Sequence, residues 1–230
     1  MRIMFLIMLM SSLCFGDKQW DEVLEYTASF GGVNIANASL SSKRYINSDN
    51  KNILKIQFIA KSKPSLKFIF PINDKIIIDV DLNTWEPIRV QKKLRQGKYT
   101  QNSLASFRND EKMFIYKKDT IYYNDKVVNP YSLIYYFRTK NLNYAENHEL
   151  QIVDNKKIMP LQFFVDNLEK IKTSYGSYFA NKIWPQKMDG SSFKNAGKIT
   201  MWISEKEKLP LLINLKMKFG SLNLELSKTS

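Results

Sequence analysis

Apolar and polar residues alternate with a period of two along most of this chain, and that pattern restricts it to β structure. Leu24, Tyr26, Ala28 and Phe30 alternate with Val23, Glu25, Thr27 and Ser29. Leu54, Ile56, Phe58 and Ala60 repeat the pattern, as do Ile76, Ile78, Val80 and Leu82 with Lys75, Asp79 and Asp81 between them. Further segments follow at Tyr99 to Arg108, Lys112 to Lys117, Thr120 to Tyr123, Glu149 to Val153, Lys157 to Asp166, Glu169 to Tyr175, Tyr178 to Trp184, Gly197 to Ser204, Lys208 to Met217 and Ser221 to Leu226. Gly31-Gly32, Asn73-Asp74, Asn124-Asp125, Asp154-Asn155, Gly176 and Gly220 supply turn chemistry at the breaks. About twelve or more strands of this kind form a large antiparallel sheet that must curl or close, because a flat one would leave long unpaired edges and an apolar face in water. The fold class expected is all-β: a curved antiparallel sheet, barrel or half-barrel.

One segment breaks the period. Asn129 and Pro130 form a helix start, with Asn129 as N-cap, and Leu133, Tyr136 and Phe137 recur at helical spacing. Arg138 and Lys140 then lie where positive charge meets the carbonyl end of a helix. This short helix is expected to pack on, or plug, one opening of the sheet.

The first residues read differently from the rest. Met1-Arg2 precedes an unbroken apolar run from Ile3 to Met10, and Cys14 and Gly16 are small residues placed for cleavage after Gly16. A membrane span needs about 20 apolar residues, and this run is shorter. Residues 1–16 are therefore expected to be a signal peptide and 17–230 a single β-rich domain, exported and not membrane-spanning after cleavage. A lipid-modified Cys14 is the rival reading, and Leu13 before it departs from the small residue that such a site prefers. Cleavage would remove the chain's single Cys, so no disulfide is expected.

Charge and residue inventory limit the chemistry. The 230 residues carry Lys+Arg 35 against Asp+Glu 22, a net +13. Such a balance attracts polyanions, which in a cell envelope are phospholipid head groups and acidic polymers. Nucleic acid is not the expected partner, since Arg is confined to positions 2, 44, 89, 95, 108 and 138. An AT-rich coding sequence would give the same Lys-heavy composition. A single His, His148 in the polar stretch Ala145 to Glu149, and a single Cys build neither a zinc site nor a serine triad. Asp79 and Asp81 share a strand face, the one expected to meet water. No metal, cofactor or catalytic set is expected.

Two motifs together are similar to an exported bacterial family, domain of unknown function 3108. The segment Asn129-Pro130-Tyr131-Ser132-Leu133-Ile134-Tyr135-Tyr136-Phe137-Arg138 resembles the family's Asp-Pro-x-Ser-x-x-Tyr-x-x-Arg, with Asn in place of Asp. Met201-Trp202-Ile203-Ser204-Glu205, Leu209-Pro210 and Gly220-Ser221-Leu222 resemble its Trp-x-Ser-Asp-Asp, Pro and Gly close, and Tyr26 to Gly32 its opening strand and turn. The resemblance implies an envelope protein and no catalytic residues. Asn129, Pro130, Ser132, Tyr135, Arg138, Trp202, Ser204, Pro210 and Gly220 are read as structural, with Ser132 and Arg138 fastening the helix to the sheet and Pro210 marking an edge or a bulge. The function expected is non-enzymatic binding of an apolar or lipid-like ligand in the concavity. The alternative is a structural or interaction module that binds an acidic envelope polymer or a partner protein, and a carboxylate hydrolase ranks last.

Overall fold

The computed structural model describes residues 20–69, 71–191, 196–217 and 220–230, so the proposed leader lies outside the described residues. The first half comprises β1 (Glu22–Phe30), β2 (Val33–Ile46), β3 (Asn52–Ser62), β4 (Asn73–Asp81), β5 (Pro87–Gln96), β6 (Tyr99–Arg108), β7 (Met113–Tyr116) and β8 (Asp119–Tyr122). The second comprises β9 (Val127–Val128), α1 (Leu133–Arg138), β10 (Asn147–Asp154), β11 (Lys157–Thr173), β12 (Gly176–Lys187), β13 (Ala196–Ser204), β14 (Pro210–Met217) and β15 (Gly220–Thr229).

All fifteen strands belong to one sheet, in the order β8-β7-β6-β5-β4-β3-β2-β1-β15-β14-β13-β12-β11-β10-β9. The first and last strands pair at its centre, and each half of the chain meanders outward from there as one arm. Short turns suffice because sequence neighbours pair antiparallel throughout, apart from the β8-to-β9 step and a brief parallel contact of β9 with β10. The sheet is not closed by hydrogen bonds: β8 and β9, adjacent in sequence, are its two edges.

Alternation dictates which side faces inward. In β1, Leu24, Tyr26 and Ala28 are buried while the residues between them are half-buried or exposed. Tyr26 stands opposite Ala38 of β2, so its ring fits where its neighbour is small. Gly31 and Gly32 take positive φ of 56° and 82° in the β1–β2 turn, a conformation that costs glycine nothing. β11 is one long strand where two were expected. A register shift between Val165 and Leu168 absorbs the irregularity that reads as a break.

The inner faces of both arms and α1 form one apolar core. Phe137 meets Phe163 of β11 at 5.3 Å between ring centroids, Tyr136 meets Trp85 of the β4–β5 turn at 6.0 Å, and Tyr131 meets Phe58 of β3 at 5.4 Å. The helix segment thus lies between the arms, and Leu133, Ile134, Tyr135 and Phe137 occupy the concavity. Burying such a side chain contributes about 1.5–3 kcal/mol, which is why six residues hold a helix that would not persist alone. The helix starts one turn later than Asn129 suggests. Asn129 Oδ1 accepts from Tyr131 N–H, and Asn129 O accepts from the N–H groups of Ser132 and Leu133, so a tight turn precedes Leu133. Among the described residues, no helix is long and apolar enough to cross a membrane.

Candidate functional site

The C-terminal end of α1 forms a hub. Arg138, 3% exposed, directs both terminal nitrogens at the carboxylate of Glu22 on β1, with Nη2 3.0 Å from Oε2. Its guanidinium lies 5.1 Å from the centre of the Tyr135 ring. Burial acts to lower the Arg138 pKa, but the hydrogen bond and charge of Glu22 outweigh it, leaving the guanidinium above its usual value. Burial first, then neighbouring charge, pushes the hydroxyls of Tyr26 and Tyr135 well up, so both stay neutral. Tyr26 Oη donates to Pro210 O at 3.0 Å, and the Trp20 ring meets Trp85 and Tyr135 at a tilt, with centroids 5.8 and 6.0 Å away.

The family-like residues all lie on described backbone, in two places. Pro130 and Ser132 lie in the turn before α1, and Ser132 Oγ donates to Asn129 O at 2.9 Å, so Ser132 closes its own turn and does not fasten the helix to the sheet. Asn129 Nδ2 reaches Val153 O of β10 at 3.4 Å, and Arg138 makes the tie to β1. Ser204 Oγ accepts from Leu209 N–H at 2.9 Å, closing the β13–β14 turn, and the indole of half-buried Trp202 donates to Glu169 of β11. Pro210 opens β14 in the middle of the sheet, beside a register shift, so it marks a bulge and not an edge. Gly220 opens β15, opposite Met217.

Between the two arms runs a polar seam. Three consecutive residues, Asp154 at the end of β10 and Asn155 and Lys156 of the β10–β11 turn, each reach a different part of the opposite arm. Asp154 pairs with Lys92 of β5, Asn155 Oδ1 accepts from Gln101 Nε2 of β6 at 2.7 Å and from Tyr116 Oη of β7 at 3.4 Å, and Lys156 pairs with Asp119 of β8. Lys92 is an inward residue of β5, its side chain 6% exposed, whereas the Asp154 side chain is 38% exposed. Behind the pair lies a space of about 10 Å³ bordered by Val90, Ser103, Ala105, Asn129 and Val153. Ser103 stands directly opposite Lys92. With its ammonium already engaged by Asp154, Lys92 is not placed to take a proton from that hydroxyl.

On the outer face of the first arm, Lys75 of β4 is in register with Lys93 of β5, and Lys93 with Asn102 of β6. Arg95 lies two residues further, opposite Thr100, and Lys61 of β3 stands opposite Asn73. Lys61, Lys75, Lys93 and Arg95 are all exposed, and no ion pair among the described residues involves them. An open groove of about 370 Å³ runs past Lys93 and Arg95. The nearest acid in sequence, Asp74, is turned inward, where it accepts from Arg95 N–H and Gln96 Nε2; burial pushes its carboxyl up, and these bonds only partly offset that. Lower on the same face the charges alternate, with Asp79 flanked in register by Lys55 and Arg89.

The family model described as "Protein of unknown function (DUF3108)" matches residues 25–227. The chain belongs to the DUF3108 family. The match contains the seam, the outer face and, of the hub, Tyr26, Tyr135 and Arg138, while Trp20 and Glu22 precede it. No curated protein matches the chain. Among solved structures it is similar to the β-barrel-like protein of domain of unknown function DUF1849 from Brucella abortus. That structure has a TM-score of 0.59 and 9% identity, covering 92% of this chain and 97% of that one. A protein with a YmcC-like fold from Bacteroides fragilis scores 0.39 at 8% identity, covering 92% and 96%. The first likeness supports the barrel-like architecture alone.

His148 lies in β10 and not in a loop. Its ring meets Phe137 edge-on at 5.4 Å, and burial is the main reason its pKa is lowered. Asp79 faces outward as expected, while Asp81 is buried at the β4–β5 turn, where Oδ1 accepts from Asn83 N–H at 2.8 Å. No group of three or more potential metal ligands occurs among the described residues. Sequence reasoning missed Glu22, Lys92 and Asp154. The available signal was Lys92 itself, a charge standing at an inward position of an alternating strand.

Proposed function

We propose that this chain is an exported, non-catalytic binding module of the cell envelope, which takes an acidic envelope polymer on the outer face of its first arm. The single observation that carries this reading is the acid-free block in which Lys75 and Lys93 stand directly opposite each other, with Lys61 and Arg95 nearby. Like charges placed directly across a strand pair oppose folding by roughly 0.2–1 kcal/mol, and a bound polyanion relieves that repulsion. The leader-like residues 1–16 support export. The concavity expected for an apolar ligand is occupied by the α1 side chains, so the outer face is the better supported surface.

The test uses inorganic polyphosphate as the probe, titrated against the purified protein at increasing salt. Binding is expected to weaken steadily with salt, because exposed charges are screened beyond about 10 Å at 0.1 M. The double variant Lys75→Glu, Lys93→Glu is expected to bind at least about tenfold less tightly. Binding that ignores both salt and charge reversal, or no binding at low salt, overturns the proposal.

A further inference from the structure

The seam poses a question that the outer face does not answer: why an inward position of β5 carries a lysine. Its inner-face neighbours Val90 and Ala105 are apolar, and burying an ammonium there is unfavourable unless an anion meets it. Asp154 supplies that anion from the end of β10, with its own side chain 38% exposed against 6% for Lys92. The cation therefore belongs to the interior and the anion to the mouth. Around Lys92 lie the Ser103 hydroxyl in register with it and two donors now engaged by the hairpin end, the Tyr116 hydroxyl with Asn155 and the Asn129 amide with Val153 O. Behind them the wall is apolar, formed by Val90, Ala105, Phe107 and Val153.

Among the described residues, only side-chain contacts hold the end of the β10–β11 hairpin to the opposite arm. No ladder joins β8 to β9, and the contacts of Asp154, Asn155 and Lys156 with the opposite arm all run through side-chain atoms. Because no ladder joins the arms here, the end of this hairpin can move outward without breaking a strand pairing between them. The space behind it, about 10 Å³, is at the lower limit for one water, so any larger ligand has to displace it.

We infer that the seam is a binding site for an anionic amphiphile, with Lys92, Ser103, Tyr116 and Asn129 receiving its head and Asp154 standing in for that head while the site is empty. The tail then lies along Val90, Ala105 and Phe107 where the hairpin end has moved away, outside the part of the concavity that the α1 side chains fill. A carboxylate and a phosphate monoester satisfy the same donors, and the experiment separates them. The site is independent of the outer basic face, which presents its lysines on the opposite side of the sheet.

The probes are laurate labelled with carbon-13 at its carboxyl group, dodecyl phosphate and uncharged dodecanol, each titrated against the purified protein and followed by NMR. A shifted bound head-group resonance is expected with laurate or dodecyl phosphate, and which of the two binds more tightly identifies the head. Dodecanol is expected to bind at least about tenfold more weakly. Asp154→Asn, which frees Lys92, is expected to tighten binding about threefold or more, whereas Lys92→Met combined with Asp154→Asn, whose seam carries no charge, is expected to weaken it at least about tenfold. Lys75→Glu with Lys93→Glu is expected to leave it unchanged, which distinguishes this site from the outer face. The inference is overturned if neither anionic probe binds the wild-type protein or the Asp154→Asn variant. Dodecanol binding as tightly as the anions, or an uncharged seam binding like the wild type, overturns it equally.

Discussion

Two buried ion pairs tie the ends of this chain's architecture together, and they differ in how completely each is enclosed. At the hub, Arg138 and Glu22 have side chains 2% and 15% exposed, set among Trp20, Tyr26 and Tyr135. At the seam, Lys92 and Asp154 are 6% and 38% exposed, and the acid stands at the end of β10. The hub is anchored on β1, at the centre of the sheet, whereas the seam joins two arms whose edges no ladder connects. A pair sealed on both sides acts as a fastening, since loss of either partner strands the other in a low-dielectric interior. A pair with one partner in water is exchangeable, because that partner can be rehydrated when the contact opens.

The largest effect expected from this contrast comes from Arg138→Met. Glu22 is then left buried without its cation, which costs about 3–5 kcal/mol, read as a fall in the midpoint of urea unfolding. A loss below about 1 kcal/mol would show that the hub is no tighter than a surface pair. Lys92→Met should cost less, about 1–3 kcal/mol, since Asp154 regains water. The comparison breaks if it proves as damaging as the hub variant in the same titration. Lys156→Ala removes the outermost tie of the seam, whose two side chains are 54% and 52% exposed. Its effect on thermal unfolding should correspond to less than about 0.5 kcal/mol.

The smallest effect concerns pH. His148 packs against Phe137 beside the hub, and burial holds its pKa below the ordinary value of 6.5. The unfolded chain binds that proton more readily, so the contribution of neutral His148 is complete above about pH 6.5 and is lost as the pH falls toward the lowered folded value. His148→Gln should flatten this part of the stability profile. An unchanged slope would place the acid sensitivity elsewhere.

Much of the fold is legible in the residues. The alternation in Leu24–Phe30 and Ile76–Leu82 names the inward faces, and the Gly31-Gly32 turn sits where the chain reverses. The helix was visible too, but its start was read one turn early because Asn129 and Pro130 serve equally well in the tight turn before it. The proposed sites were less legible. Arg138 could be seen at the end of the helix, but its partner Glu22 is 116 residues away, and no local pattern links them. Lys92 and Asp154 are 62 residues apart, and their meeting depends on how far two separate arms curl.

What the amino-acid order determined by itself is local: strand after strand with a defined inner face, the turns between them and one short amphipathic helix. It also set a positive charge that any folded form must display. The tertiary structure alone decided that β1 and β15 meet at the centre, that the sheet stops short of closure, and that a buried lysine faces an acid across the remaining gap. The physical reason is range. Periodicity and turn chemistry act over a few residues, whereas the curvature of fifteen strands and the pairing of distant charges arise from packing the whole inner face at once.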